Sequence, residues 1–253
     1  MSQSLPHPWP ELLRITLCPD QVILQCGKLV AGRSGVEARY FEPEIIPVEP
    51  RHEPTLWTAP LAVLGIALDG LPERPHDATV ILSNHFVHYP LIQSGMPSER
   101  PCAPGVIEEE LQNNLLGLLL QHDCRLASLL PRIVAFGTDL LEEFHEEPGW
   151  LVLVEEGLAS IGLVQEGEFT RFRNLYMWPA SSVQLLSLLD QEASAAGLIV
   201  RPRNLMIWGR DESDEVVLPL KSGWQITRLR EQQATAIPAP VFNGKVLLDG
   251  VQA

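Results

Sequence analysis

The sequence predicts an α/β fold of two lobes, each built on a mixed sheet that begins with a β-hairpin and is covered by helices. Two strand-turn-strand units carry this prediction, residues 12–29 in the first half of the chain and residues 150–176 in the second. In both, apolar residues that favour strands are bounded by Pro, Asp and Gly, a pattern typical of short-turn hairpins. Helix and strand patterns follow each hairpin, so one architecture is predicted twice.

In the first half, the hairpin is followed by a strand over 38–48, whose prolines confine it to an edge or an irregular path. A helix is predicted over 55–68 because Gly70 and Pro72 supply a stop signal. A buried strand begins at Ala78 and turns polar at Ser83. Two helices are predicted after it, one starting at the acidic residues 108–110 and one spanning 126–144, which Pro131 starts or kinks.

In the second half, the hairpin extends to a third strand after the turn 165–167. An amphipathic helix over 183–196 ends at Gly197. Strands are predicted over 203–208, 216–220 and 224–229. The predicted organisation is an N-terminal extension over 1–11, lobe I over 12–148, lobe II over 149–233 and a C-terminal tail over 234–253.

Composition and charge exclude several classes of function. With 253 residues and 45% hydrophobic content, the chain can bury a large core. No apolar run approaches the ~20 residues that span a bilayer, and the start does not resemble a secretory signal, so we expect a cytoplasmic protein without direct membrane insertion. The net charge of −14 argues against nucleic acid and against an anionic membrane surface. It favours a protein partner with a basic segment.

The sequence carries no recognisable motif for catalysis or metal binding. The cysteines, at positions 18, 26, 102 and 124, match no zinc or redox spacing and are expected to be buried free thiols. His85 and His88 are three residues apart, a spacing that on a strand directs them to opposite faces and disfavours shared metal ligation. The chain has no nucleophile elbow, Walker A loop or dinucleotide fingerprint. We therefore predict no catalytic residue, no metal site and no cofactor.

Neither hairpin turn has the composition of a phosphate-binding loop. Such turns use Gly so that backbone amides can approach the anion, and usually have an Asp nearby that holds the metal. The first turn offers Asp20 without a Gly, and Pro19 removes a backbone donor. The second offers Gly157 beside Glu155 and Glu156, whose carboxylates would repel phosphate unless a metal intervened. ATP binding is therefore disfavoured at both turns.

Four segments of the sequence resemble bacterial actin-like proteins, the PilM and GspL group of type IV pilus and type II secretion assembly platforms. The resemblance extends over about residues 12–229 and is carried by residues 80–90, 125–136, 150–157 and 167–173. It implies the actin-like, ribonuclease H-like fold, with two lobes around a cleft. The chain lacks the Asp-X-Gly turns of the nucleotide-binding members, and it lacks the transmembrane helix and periplasmic domain of GspL.

The resemblance also implies a function. A protein of this group is a non-catalytic scaffold at the inner face of the cytoplasmic membrane, held there by binding the cytoplasmic tail of an inner-membrane assembly protein, with the assembly ATPase as a further partner. Two alternatives stay open. One is an ATPase or sugar-kinase relative of the same fold, which would need a metal-binding acid such as Asp20 or Glu155. The other is an unrelated α/β protein that binds a small ligand.

The candidate partner-binding residues are Asn84, His85, Phe86 and His88, because they lie where a buried strand becomes polar. A peptide tail could bind there by strand addition or in an apolar groove. The structural alternative is that Phe86 packs in the core and His85 caps a loop.

Overall fold

The computed structural model describes residues 12–31, 36–49, 54–71, 75, 77–89, 105–144, 147–176, 182–209 and 223–229. In chain order the strands are β1 (Leu12–Leu17), β2 (Gln21–Ala31), β3 (Val36–Tyr40), β4 (Glu44–Pro47), β5 (Asp77–Leu82), β6 (Val87–His88), β7 (Val106–Ile107), β8 (Arg125–Pro131), β9 (Gly149–Glu155), β10 (Leu158–Gln165), β11 (Glu168–Leu175), β12 (Asn204–Gly209) and β13 (Gln225–Leu229). The α-helices are α1 (Thr58–Asp69), α2 (Glu109–Gln121), α3 (Arg132–Gly137) and α4 (Ser182–Ala195), and Asn84–Phe86 and Thr138–Phe144 are 3-10 helices.

The chain divides into two compact units that are discontinuous in sequence. Unit 1 contains the described residues of Met1–Leu82 and Glu109–Leu130, and unit 2 those of Ser83–Glu108 and Pro131–Ile237. The sequence predicts contiguous lobes over 12–148 and 149–233 instead. The difference arises because the chain enters unit 2 twice, after Leu82 and again after Leu130.

Both units contain a sheet with the same strand order. The order is β3-β2-β1-β5-β8 in unit 1, with β4 also paired to β2, and β11-β10-β9-β12-β13 in unit 2. In each, the three hairpin-connected strands are antiparallel, and the first of them pairs in parallel with a later strand, β5 or β12. The predicted duplication of architecture is therefore confirmed at the level of sheet topology.

Alternation along the strands places an apolar face of each sheet against helices. In unit 1, Ile15 and Val80 are cross-strand neighbours and fully buried, and α1 and α2 turn leucines inward, Leu64 and Leu115 among them. In unit 2, one face of the sheet packs on α4 through Leu185 and Leu189. Its other face holds a second cluster, which is formed by Ile133, Leu151, Leu153, Phe172 and Trp208.

The helix predicted over 126–144 is wrong for its first part, which is strand β8. The spacing of its leucines fits a helix, but Pro131 restricts Leu130 to extended conformations. Pairing with β5 then fixes the strand, with an Arg125–Asp77 ion pair at 2.7 Å near its start. The helical part is confined to α3 and the 3-10 helix Thr138–Phe144.

The other predicted elements agree with the structure within the described residues. The strand predicted over 38–48 is split into β3 and β4, both on the β2 edge. Gly197 ends α4 with a φ of +72°, which a glycine adopts without strain. The strand predicted over 216–220 and the tail over 234–253 lie outside the described residues.

The described cysteines are free thiols, and Cys18 and Cys124 are buried as predicted. Burial raises the pKa of Cys124 from 9.0 to about 11, and the nearby charge of Asp77 adds to the rise. Burial also raises the pKa of the half-buried Cys26, with a second contribution from Glu44. Cys102 lies outside the described residues.

We expect the raised pKa of Cys124 to affect stability in alkaline solution. Between pH 9.0 and about 11 the thiol is ionised in the unfolded chain but neutral in the folded one, so the free energy of unfolding falls as the pH rises across that window. Removing the thiol in Cys124→Ala should make this fall shallower. Urea unfolding of both proteins at several pH values measures it, and equal slopes would contradict the assignment.

Gly149 in unit 2 and Gly117 in unit 1 form a matched pair for testing how closely the chain is packed around Gly149. A Cβ at Gly149 would clash with Cε1 of the buried Phe144, whereas a Cβ at Gly117 in α2 meets nothing within 4 Å. We expect Gly149→Ala to destabilise the protein by about 1–3 kcal/mol, and Gly117→Ala to stabilise it by about 0.5–1 kcal/mol. Thermal unfolding of both variants checks this, and a neutral Gly149→Ala would refute the close packing.

Candidate functional site

The turn between β9 and β10 in unit 2 has a buried carboxylate at its start. Glu155 is the last residue of β9, and its side chain is only 5% exposed. Glu156 and Gly157 make the turn itself and are exposed, and Gly157 has a φ of +72°. The two adjacent glutamates therefore differ, because one points into unit 2 and the other lies on its surface.

Three hydrogen bonds from two residues satisfy the Glu155 carboxylate. Arg132 Nη1 donates to Oε1 at 3.3 Å, while the backbone N and the side-chain Nδ2 of Asn84 donate to Oε2 at 3.0 and 3.2 Å. The Arg132 side chain is 9% exposed, so the ion pair is shielded from water. A buried charge needs such compensation, since its desolvation costs several kcal/mol.

Arg132 is held in place by two aromatic rings. It is the first residue of α3, directly after the proline that ends β8. Its guanidinium lies 5.0 Å from the centroid of Trp208 and 5.7 Å from that of Phe136, and the two rings are 4.0 Å apart. Stacking on aromatic faces suits a planar guanidinium.

Asn84 connects the carboxylate to the rest of unit 2. Its Oδ1 accepts a hydrogen bond from Tyr89 Oη at 2.7 Å, and its backbone O accepts one from Asn174 Nδ2 at 3.0 Å. Asn174 Nδ2 also reaches the Val87 carbonyl at 3.0 Å, and its Oδ1 accepts from Ser160 Oγ at 2.7 Å. We call this network the Glu155 cluster; its members are Asn84, Tyr89, Arg132, Glu155, Ser160 and Asn174.

The four predicted partner-binding residues divide into two buried and two accessible ones. Asn84 and Phe86 are 1% and 4% exposed, so their side chains lie inside unit 2. His85 is half-buried, and its Nε2 lies 2.9 Å from the backbone O of Glu156. His88 is 61% exposed and its Nε2 lies 3.9 Å from Glu108 Oε1.

The local geometry corrects the strand assumed for this segment. Asn84–Phe86 form a 3-10 turn, in which Ser83 Oγ accepts a hydrogen bond from the backbone N of His85 at 3.2 Å. Only Val87 and His88 are extended, paired with β7. The opposite-face argument for the two histidines is therefore wrong in its premise. Among the described residues, no group of three or more His, Cys, Asp or Glu side chains is placed to hold a metal ion.

The first hairpin turn, in unit 1, offers little to an anion. The backbone N of Cys18 donates to the carbonyl of Gln21 at 2.9 Å, and the Asp20 carbonyl accepts from the backbone N of Val48 at 2.8 Å. Pro19 between them has no N–H. The turn is thus closed by the backbone, and the amide of Cys18 is already used in closing it.

The central role of Arg132 and Glu155 was not predicted from the sequence. The Asn84 contact joins residues 71 positions apart and the Arg132 contact residues 23 apart, so no local spacing reveals either one. The available signal was an arginine within the apolar stretch 126–136, which indicates a buried charge that needs a partner.

Chemically, the Glu155 cluster is suited to holding structure. The carboxylate already accepts three hydrogen bonds and faces a guanidinium, and these partners occupy the oxygens that a metal ion would need.

Comparison with solved structures identifies the fold. A chain of the structure described as a PilM-PilN type IV pilus biogenesis complex superposes with a TM-score of 0.57 at 13% identity, covering 90% of each chain. The chain has an actin-like fold. The predicted fold class is confirmed, and so, at the level of the fold, is the resemblance to the PilM and GspL group.

Two more distant structural likenesses accompany this match. The cytoplasmic domain of EpsL, an inner-membrane component of the type II secretion system of Vibrio cholerae, gives a TM-score of 0.46 at 11% identity, over 86% of this chain and 89% of that one. A Bacteroides thetaiotaomicron protein with an actin-like ATPase fold gives 0.48 at 10% identity, over 81% and 84%.

Sequence comparison gives no match to a family model or to a curated protein. Among the described residues of this actin-like chain, no helix combines the length and the apolar composition needed to cross a bilayer.

The Arg132–Glu155 pair can be tested with a double-mutant cycle. We expect Arg132→Met to cost about 3–5 kcal/mol, because it leaves a buried carboxylate without its counter-charge. Glu155→Gln leaves the buried guanidinium of Arg132 without its counter-charge and should cost a similar amount. The double variant removes both charges, so its loss should be smaller than the sum of the two single losses by about 1–3 kcal/mol. Urea unfolding measures all four proteins, and additive losses would show that the two side chains do not interact.

Proposed function

We propose that this chain is a non-catalytic scaffold of an inner-membrane assembly platform of the type IV pilus or type II secretion kind. It binds the cytoplasmic tail of an inner-membrane assembly protein and thereby stays at the inner face of the cytoplasmic membrane. The assembly ATPase is a second partner of the same platform. Support comes from the fold that this chain shares with a chain of a PilM-PilN pilus biogenesis complex.

The observation that carries the non-catalytic part is the internal use of the Glu155 carboxylate. A nucleotide-binding turn keeps its acid available for a metal ion and its amides open to phosphate. Here the acid of the second hairpin turn is buried against Arg132 and Asn84, and the first turn has a proline and no glycine. Both turns therefore favour a binding protein over an ATPase.

The charge of the chain supports a membrane protein's tail as partner. Cytoplasmic segments next to membrane spans carry an excess of Lys and Arg. A chain with a net charge of −14 attracts such segments over the range of a Debye length, about 8 Å in physiological salt.

Two measurements on the purified full chain test the proposal. Calorimetric titration with Mg-ATP should give no binding heat, because Arg132 and Asn84 already engage the Glu155 carboxylate and the first turn has a proline and no glycine. Immobilised tails of the inner-membrane proteins encoded beside this chain should capture it, with scrambled tails as controls. Micromolar ATP binding would move the chain to the ATPase class, and failure of every tail to capture it would remove the scaffold role.

A further inference from the structure

We propose that one surface of unit 2 is the docking site for a short basic segment, which deepens the proposed function by naming the surface and the chemistry of its partner. The surface lies at the end of the sheet where the β9–β10 turn is found. We call it the hairpin-end surface and define it by His85, His88, Val106, Glu156 and Tyr176.

The strand register brings Glu156 and Tyr176 to one end of unit 2. Glu156 is in the turn that joins β9 to β10, and Ala159 near the start of β10 pairs with Leu175 at the end of β11. Tyr176 follows Leu175 and therefore lies beside that turn. His85 joins them through the 2.9 Å contact between its Nε2 and the Glu156 carbonyl.

Two exposed apolar side chains provide apolar area that a bound peptide can cover. Val106 is 57% exposed and Tyr176 is 65% exposed. Val106 is the direct cross-strand partner of His88, so the two side chains share one face of the β6–β7 pair, and both are exposed on it. Tyrosine is enriched among the residues that dominate binding energy at protein interfaces.

The charges on the hairpin-end surface select a cationic partner. The Glu156 side chain is exposed, and Glu108 adds a second, 47% exposed carboxylate next to His88. A Lys or Arg of the bound segment can pair with Glu156 and lie over the ring of Tyr176, an arrangement that the ring quadrupole favours. An apolar residue of the same segment can cover Val106. The occupant is thus a short peptide that combines basic and apolar side chains.

The Glu155 cluster holds this surface in shape before the partner arrives. Asn174 Nδ2 binds the carbonyls of both Asn84 and Val87, and the carboxylate of Glu155 fixes Asn84. Asn84 therefore acts as a positioning residue, whereas His85 and His88 carry the accessible surface. A surface that is already ordered loses little conformational entropy on binding.

The test uses fluorescence anisotropy with two labelled peptides at physiological salt. The first is a synthetic peptide in which Lys or Arg alternates with Leu, and the second replaces every Lys and Arg by Glu. The unaltered chain should bind the first peptide and not the second. Glu156→Lys and Tyr176→Ser should each weaken binding by about five- to tenfold, because they remove the charge partner and the aromatic contact.

Glu49→Lys is the matched control. Glu49 is exposed in unit 1, and its replacement changes the net charge by the same amount as Glu156→Lys. It should alter binding less than twofold. An equal loss in both charge variants would mean attraction by net charge alone and would overturn the surface, as would failure of the unaltered chain to bind the basic peptide.

The two proposals can fail separately. If a membrane protein's tail captures the chain and neither Glu156→Lys nor Tyr176→Ser reduces that capture, the scaffold role stands and the hairpin-end surface is wrong. If the basic peptide binds as expected and no tail captures the chain, the surface stands and the scaffold role is wrong. Far-ultraviolet circular dichroism of each variant confirms that a lost signal does not come from unfolding.

Discussion

The Glu155 carboxylate is the constraint on which the architecture of unit 2 depends. The chain enters this unit after Leu82 and again after Leu130. Within two residues of each entry lies a donor to the same buried acid, Asn84 in one segment and Arg132 in the other. Removing either donor leaves a poorly compensated charge in the interior. The β9–β10 turn, the 3-10 helix Asn84–Phe86 and α3 are therefore held together cooperatively.

This arrangement also decides what the second hairpin turn can do. Glu155 ends a strand, and Gly157, two residues later, has a positive φ. An acid and a glycine in these positions have the local form of an anion- or metal-binding turn. The side chain of Glu155 points inward, where its carboxylate is bound by Asn84 and Arg132. Glu156 is therefore the exposed carboxylate of the turn. Two adjacent residues of one type thus have opposite uses, and only the partner of each, a buried guanidinium or solvent, distinguishes them.

Sequence patterns could predict the features that are local. Both hairpins, α1, α2 and α4 follow from apolar periodicity and from turn residues within a few positions of each element. The prediction of a helix that begins at Leu126 is wrong because β8 pairs with β5, a strand distant in sequence, and the spacing of the leucines carries no information about that pairing. The Glu155 cluster is undetectable for the same reason, since its contacts bridge 71 and 23 positions.

The change from apolar to polar residues after Leu82 illustrates how one signal can have two causes. It marks a functional segment when polar groups face a partner, and an interior junction when they satisfy a buried charge. Asn84 has the second cause, because its backbone N and O and both polar atoms of its side chain bond to other residues of unit 2. His88 lies four residues further along the chain, in β6, and its side chain is 61% exposed. A rigid interior network that ends in accessible side chains is the arrangement expected of a binding surface, since the entropy of ordering it is lost on folding and not on binding.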